Sequence, residues 1–323
     1  MPTPHPPAVV GGGHEQFSRW AAPATEPLAA ENGGRGVILV TGATGNVGGE
    51  LVRALLGTGQ QVRGLTRDPR RAALADGADA VAGDLNRPES LSTALDGVRG
   101  VFLLSGFQDM AGVLVEIRRA GVERVVLLTS GAAAGGDLSN AVERDQIRSE
   151  AAVRESGLEW TILRPSGFHS NVLRWLPHLW AGDVVRAPFG EVPIASIDPY
   201  DIAAVAARAL TAEGHQGRTY RLTGPQSLLP AEQVRVLAAV LGRRLRFEAQ
   251  SDSEARAELR GIMASEYVDA LFRFFVDGTY DDSKVLPTVQ QLTGAPPRTF
   301  EQWATTHAQA FRTPPTLEGK RHD

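Results

Sequence analysis

From residue 36 onward, short apolar runs alternate with longer segments in which apolar residues recur every third or fourth position. VILVT (37–41), QVRGLT (61–66), AVAG (80–83), VFLLS (101–105), RVVLLT (124–129) and WTILR (160–164) predict strands buried on both faces. Between them, a helical period lines up Val47, Leu51, Ala54 and Leu55, then Met110, Val113, Leu114 and Ile117, then Val142, Ile147 and Ala151. Strands alternating with helices imply parallel pairing through right-handed crossovers. The expected fold class is therefore α/β, a doubly wound parallel sheet over 36–165 with a smaller C-terminal α+β lobe over 166–312.

The second half carries helix signals of its own. Asp198, followed by Pro199 and Asp201, reads as an N-cap with proline in the first turn, so a helix is expected over 199–210. LLPAEQVRVLAAVLG (228–242) predicts another, ending at Gly242, and Thr299 with Gln302 forms a capping-box pattern before a closing helix. Residues 1–35 are rich in Pro, Gly and Ala without periodicity and are expected to be a disordered arm; 313–323 reads as a tail. No internal repeat is present.

Composition narrows the function. The net charge is −4 and no basic stripe is present, which argues against a nucleic-acid or anionic-membrane surface and toward a small-molecule partner. The absence of cysteine removes disulfides, thiolate nucleophiles and Cys-based zinc sites. With no spanning-length apolar run and no signal-peptide pattern, a cytoplasmic protein is expected; a homodimer is compatible with this reading. Lysine occurs only at Lys284 and Lys320.

TGATGNVGG (41–49) carries the chemistry. Gly42, Gly45 and Gly48 follow a strand and open a helix, where backbone must turn, approach a pyrophosphate, and pack helix on sheet. The helix N-terminus would offer unpaired N–H groups to the phosphates. Arg67 ends the second strand, where an acid would otherwise hold a ribose 2′-hydroxyl. It can pair with a 2′-phosphate, favouring NADPH over NADH, or be solvated while Asp68 caps a turn at Pro69. Arg63, within the strand, is a weaker candidate. Asp84 can accept from an adenine amino group or cap the turn near Pro88.

With TGATGNVGGELVRALL, VRGLTRDP, AGDLNRPESLSTALDGVRGVFLLS, AGVERVVLLTS and SGLEWTILRPSGFHSN, the chain resembles the NmrA-like group of atypical short-chain dehydrogenases from about residue 36 to 312. That group has a Rossmann core and includes quinone reductases, azoreductase-like enzymes and redox-sensing regulators. The resemblance implies NADP(H) as cofactor. It assigns pyrophosphate contacts to the loop, including Thr44, Gly45, Asn46, Val47 and Gly48, and the 2′-phosphate to Arg67. Asp84 and Leu85 go to the adenine, and Leu104, Ser105, Gly106 and Ser130 to the inner ribose. Phe168 and Asn171 would border the nicotinamide; Phe168 reads equally as a core aromatic.

Short-chain dehydrogenases pair a serine with Tyr-x-x-x-Lys on the following helix, the lysine tuning the tyrosine as proton donor. Ser130 is in place, but NAVERDQIRSEAAVRESG holds neither Tyr nor Lys. The one YxxxK, YDDSK at 280–284, lies about 150 residues downstream and is expected outside the cofactor cleft. His169 is a candidate donor or a structural group, and Ser130 and Asn171 are expected to orient the acceptor oxygen. A chain without this acid suits an acceptor that delocalises charge, namely a quinone, azo compound or enone. A redox sensor without turnover and a non-redox enzyme retaining the dinucleotide are the alternatives.

Overall fold

Seven parallel strands form one sheet in the order β3-β2-β1-β4-β5-β6-β8, in a computed structural model that describes residues 36–312. They are β1 (Val37–Val40), β2 (Gln61–Thr66), β3 (Asp79–Ala82), β4 (Val98–Leu104), β5 (Arg124–Leu128), β6 (Glu159–Pro165) and, after β7 (Val184–Ala187), β8 (Arg218–Leu222). A separate two-stranded ribbon pairs β7 with β9 (Arg246–Ala249). The helices of the first half are α1 (Asn46–Gly57), α2 (Ser92–Leu95), α3 (Met110–Arg119) and α4 (Ala141–Glu155). Those of the second are α5 (Leu176–Ala181), α6 (Pro199–Thr211), α7 (Pro230–Leu241), α8 (Asp252–Arg260), α9 (Ser265–Phe275), α10 (Thr288–Thr293), α11 (Phe300–Thr306) and α12 (Ala308–Arg312). All six expected strands form. The arm at 1–35 and the tail at 313–323 lie outside the described residues.

Strand alternation divides the interior into two layers. Ile38 and Val40 join Leu51, Leu55, Ile202 and Ala206 under α1 and α6, while Leu39, Val101 and Leu103 join Val113, Leu114 and Ile117 under α3. The period-2 strands and period-3.6 helices thus each present the apolar stripe that the other buries. A third cluster holds the lobe together, centred on Trp175, Leu237, Phe300, Trp303 and Phe311.

The sheet does not end at residue 165, where the first domain was expected to close. α6 packs on α1, and β8 adds to β6 in register from Thr161↔Arg218 to Pro165↔Leu222. Residues 199–222 therefore belong to the sheet layer. Ten of the thirteen α6 residues are buried, because Ala at five of its positions lets it lie close to the sheet. Among the described residues, no helix is long and apolar enough to cross a membrane.

Candidate active site

All seven strands point their carboxyl ends to one edge, the edge at which doubly wound sheets bind ligands. The glycine loop leaves β1 there and enters α1. Thr41 donates its N–H to Phe102 O at 3.0 Å and accepts Leu104 N–H on its hydroxyl at 3.0 Å, fastening the loop to β4. A side chain on Gly48 would collide with the Gly42 carbonyl, so this position admits only glycine. The α1 N-cap is Gly45, which has no side chain to cap with, and the first turn holds no acid. The helix start is left free for an anion, so the loop fits a pyrophosphate. Asn46 donates to Ser170 Oγ at 3.1 Å, joining the loop to the turn after β6.

Arg67 is exposed at the end of β2 and, among the described residues, has no hydrogen bond or ion pair. Its neighbour Asp68 turns inward to cap Arg70 N–H at 3.1 Å. Arg67 is thus solvated, and its guanidinium remains available to an anion. Arg63 is spent on the structure, donating to Ala94 O and Asp96 O, each at 2.8 Å. Asp84 accepts Asn86 N–H at 3.0 Å, closing its own turn rather than capping the one at Pro88. Leu85 is buried in the α3-side layer.

Further along the edge, Ser105 Oγ donates to Gln146 at 2.6 Å and Gly106 N–H to Ser149 Oγ at 3.1 Å. Gln146 and Ser149 sit one turn apart on α4, the helix that lacks Tyr and Lys. They were missed in the sequence, although their i,i+3 spacing was visible. Ser130 follows β5 in extended backbone and accepts Ala132 N–H at 3.2 Å, leaving its hydroxyl proton to donate. Thr129 before it is held by buried Glu150, at 3.0 Å. Glu150 also receives the Arg164 fork at 2.7 and 2.6 Å and Arg154 at 2.8 Å. Burial pushes the Glu150 carboxyl up, but these donors outweigh it and hold the group below its usual range.

His169 is not a cleft residue. It is 1% exposed, with Nδ1 at 2.9 Å from Ser196 Oγ, Nε2 at 3.4 Å from Arg298 O, and Phe300 edge-on at 5.3 Å. Burial lowers its pKa to about 4, so the ring is neutral near pH 7. Phe168 packs in the α1-side core with Leu163 and Ile197, which is the core-aromatic alternative. Asn171, three residues on, is exposed.

The YDDSK stretch is not remote, as had been expected. The Tyr280 hydroxyl lies against Gly131, the residue after Ser130, and donates to Asp282 at 2.9 Å. Its distance in sequence is erased by β8, whose Arg221 binds both Gly131 O and Asp282. Burial, then the Asp282 carboxylate, push the phenol above its ordinary pKa. Lys284 does not help it, being exposed and 3.9 Å from Asp281. The pair does not form a Tyr–Lys acid.

Below the glycine loop, a cavity of about 90 Å³ is lined by Asn46, Ser170, Asp198, Trp303 and His307. Asp198 caps α6 at Tyr200 N–H, 2.9 Å away, and Asp201 accepts Arg298 N–H at 2.8 Å. Burial, then Asp198, raise the Asp201 pKa to about 7.

An uncapped glycine loop on β1 and an arginine after β2 that, among the described residues, has no partner are the marks of a dinucleotide-binding site. The chain belongs to the NAD(P)H-binding family, whose model matches residues 42–213, just over half of the chain. It is 40% identical over 85% of its length to 99% of the (4-alkanoyl-5-oxo-2,5-dihydrofuran-3-yl)methyl phosphate reductase of Streptomyces griseus. It is 36% identical over 85% of its length to 99% of the NAD(P)H azoreductase of Xenophilus azovorans. The Citrobacter triphenylmethane reductase complexed with NADP(H) superposes with a TM-score of 0.69 at 26% identity, covering 85% of this chain and 99% of that one. The NmrA-like resemblance read from the motifs stands, as does the oxidoreductase class.

Proposed function

We propose that the protein is an NADPH-dependent reductase that passes hydride to a conjugated small-molecule acceptor of quinone, azo or enone type. The observation that carries this reading is the proton inventory of the carboxyl edge. His169 is buried and neutral, the Tyr280 proton is held by Asp282, and Lys284 faces solvent. The Ser130 hydroxyl, whose proton is free to donate, and the exposed Asn171 amide are the groups we assign to meet an acceptor oxygen. Reduction of an isolated ketone builds a strongly basic alkoxide and needs a positioned acid. A conjugated acceptor leaves a delocalised anion, which two neutral donors orient and water protonates.

When bound, a reduced nicotinamide supplies the hydride. The chain supplies its berth. The α1 N-terminus would hold the pyrophosphate, Arg67 would pair with the 2′-phosphate, and Ser105 and Gly106 would border the inner ribose. The names of the Streptomyces and Xenophilus relatives, a dihydrofuranone phosphate reductase and an azoreductase, accord with acceptors of this type. The test is NADPH oxidation by the purified protein against a panel of quinones, azo dyes, enones and simple ketones. Conjugated acceptors should react, and faster with NADPH than with NADH; turnover of simple ketones alone would sink the reading.

A further inference from the structure

Three segments far apart in the chain meet beside Ser130. They are the turn after β5, the Gly167–Asn171 turn after β6, and residues Tyr280–Asp282. The meeting point is the Asp282 carboxylate, 6% exposed. One oxygen accepts Gly167 N–H at 2.9 Å. The other accepts Arg221 Nη2 at 2.7 Å and the Tyr280 hydroxyl at 2.9 Å. Arg221 extends its second arm to Gly131 O at 3.0 Å, and the Asp282 carbonyl accepts Ala195 N–H at 2.7 Å. A methyl group on Gly131 would strike both the Tyr280 hydroxyl and the Arg221 guanidinium, so the three groups are closely packed.

We propose that Asp282 is a positioning residue for the acceptor: with Arg221 as its arm, it sets the separation between Ser130 and Asn171. The inference rests on the proposed function, which places the acceptor between those two side chains. One carboxylate holds the turn that carries Ser130 through Arg221 and the turn that leads to Asn171 through Gly167. Misplacement of an acceptor by about 1 Å can cost on the order of 100-fold in rate. None of the Asp282 bonds reaches the glycine loop or Arg67, which would carry the charged contacts to the dinucleotide, so cofactor affinity should sense the network only weakly, through Ser130 at the inner ribose and Asn171 at the nicotinamide.

Asp282→Asn separates these roles, because it preserves the volume but has one accepting oxygen where two are used. The full chain is tested for NADPH affinity, for single-turnover NADPH oxidation by 1,4-naphthoquinone, and for naphthoquinone binding to the protein saturated with NADP⁺, where no hydride can flow. The variant should bind NADPH within about twofold of wild type, transfer hydride about 30-fold more slowly, and bind naphthoquinone about tenfold more weakly. Tyr280→Phe, which leaves both carboxylate oxygens paired, should show about a threefold loss in each acceptor readout. Wild-type rate and wild-type naphthoquinone affinity in Asp282→Asn would overturn the proposal. If that variant does not fold, Arg221→Lys, which keeps the charge but loses the fork to Gly131, carries the same expectation and the same refutation. A wild-type protein that binds naphthoquinone without reducing it would defeat the reductase reading while the binding arm still decides the role of Asp282. One that does not bind it defeats both.

Discussion

At the β1–β2 end of the carboxyl edge, the groups that face a ligand are backbone N–H groups and a free arginine; at the β5–β8 end they are side chains held by other side chains. The first region keeps Arg67 uncommitted and leaves α1 uncapped. The second has few loose groups: Arg164 and Arg221 are register partners on adjacent strands, and each grips a buried carboxylate, Glu150 and Asp282. A dinucleotide brings its own charge and needs an opening to receive it. The acceptor of the proposed reaction would instead need walls held at a set distance.

The comparison is broken most severely by attacking the held region. Glu150→Ala strips the acceptor from Arg164, Arg154 and Thr129 at a site 0% exposed. Breaking a buried pair in this way should cost about 3–5 kcal/mol, read as a lowered urea midpoint. A loss below about 1 kcal/mol would mean that the carboxylate is better solvated than its surroundings show.

A comparable effect is expected from pH, with two opposing signs. His169 titrates at about 4 in the folded protein against 6.5 ordinarily, so its stability is complete above 6.5 and lost as pH falls toward 4. Asp201 titrates at about 7 against 3.8, so its contribution is complete below 3.8 and lost as pH rises toward 7. The shifts span roughly 3 kcal/mol for His169 and roughly 4 kcal/mol for Asp201, so they oppose each other over most of the interval. Asp201→Asn should give a stability that climbs from pH 4 to 6.5, and His169→Gln one that declines. Parallel profiles for the two variants would refute the assignment.

The open region is sharpened by Arg67→Glu. Losing a charge-assisted contact to the 2′-phosphate costs about 1.5–3 kcal/mol, so NADPH should bind at least about tenfold more weakly while NADH is unaffected. Equal weakening of both cofactors would show that Arg67 does not read the phosphate. The smallest effect belongs to Lys284→Ala. With the ammonium exposed and 3.9 Å from Asp281, stability should change by less than about 0.5 kcal/mol and turnover not at all. A measurable loss of hydride transfer would restore the lysine to the chemistry.

The open region was legible in the sequence because it is contiguous. Gly42 to Gly48 is one stretch, Arg67 closes the next strand, and periodicity alone located every strand of the first half. The held region draws on residues 130, 150, 164, 167, 221 and 282, and no local spacing reveals that β8 brings the last two to the first. For the same reason Tyr280 was placed too far away, and residues 199–222 were assigned to the lobe. His169 stood in a motif that borders the cleft, but its ring turns inward between Ser196 and Phe300, a choice made by packing after the strand ends. The α8–α9 hairpin was overlooked, although Ser251 and Glu254 form a capping box at its start.

The return of β8 to the sheet also governs the order in which the molecule can be completed. β6 pairs with β5 on one side, and its partner on the other side begins only at Arg218. A nascent chain released through Pro165 would therefore expose the N–H and C=O groups of β6 as an open edge, the kind that invites pairing with a second chain. Chain synthesis at ~5–20 residues per second leaves that edge bare for several seconds before β8 emerges to cover it. The vulnerable interval in the life of this protein is the making of residues 166 to 222, and shielding by a chaperone would matter most there.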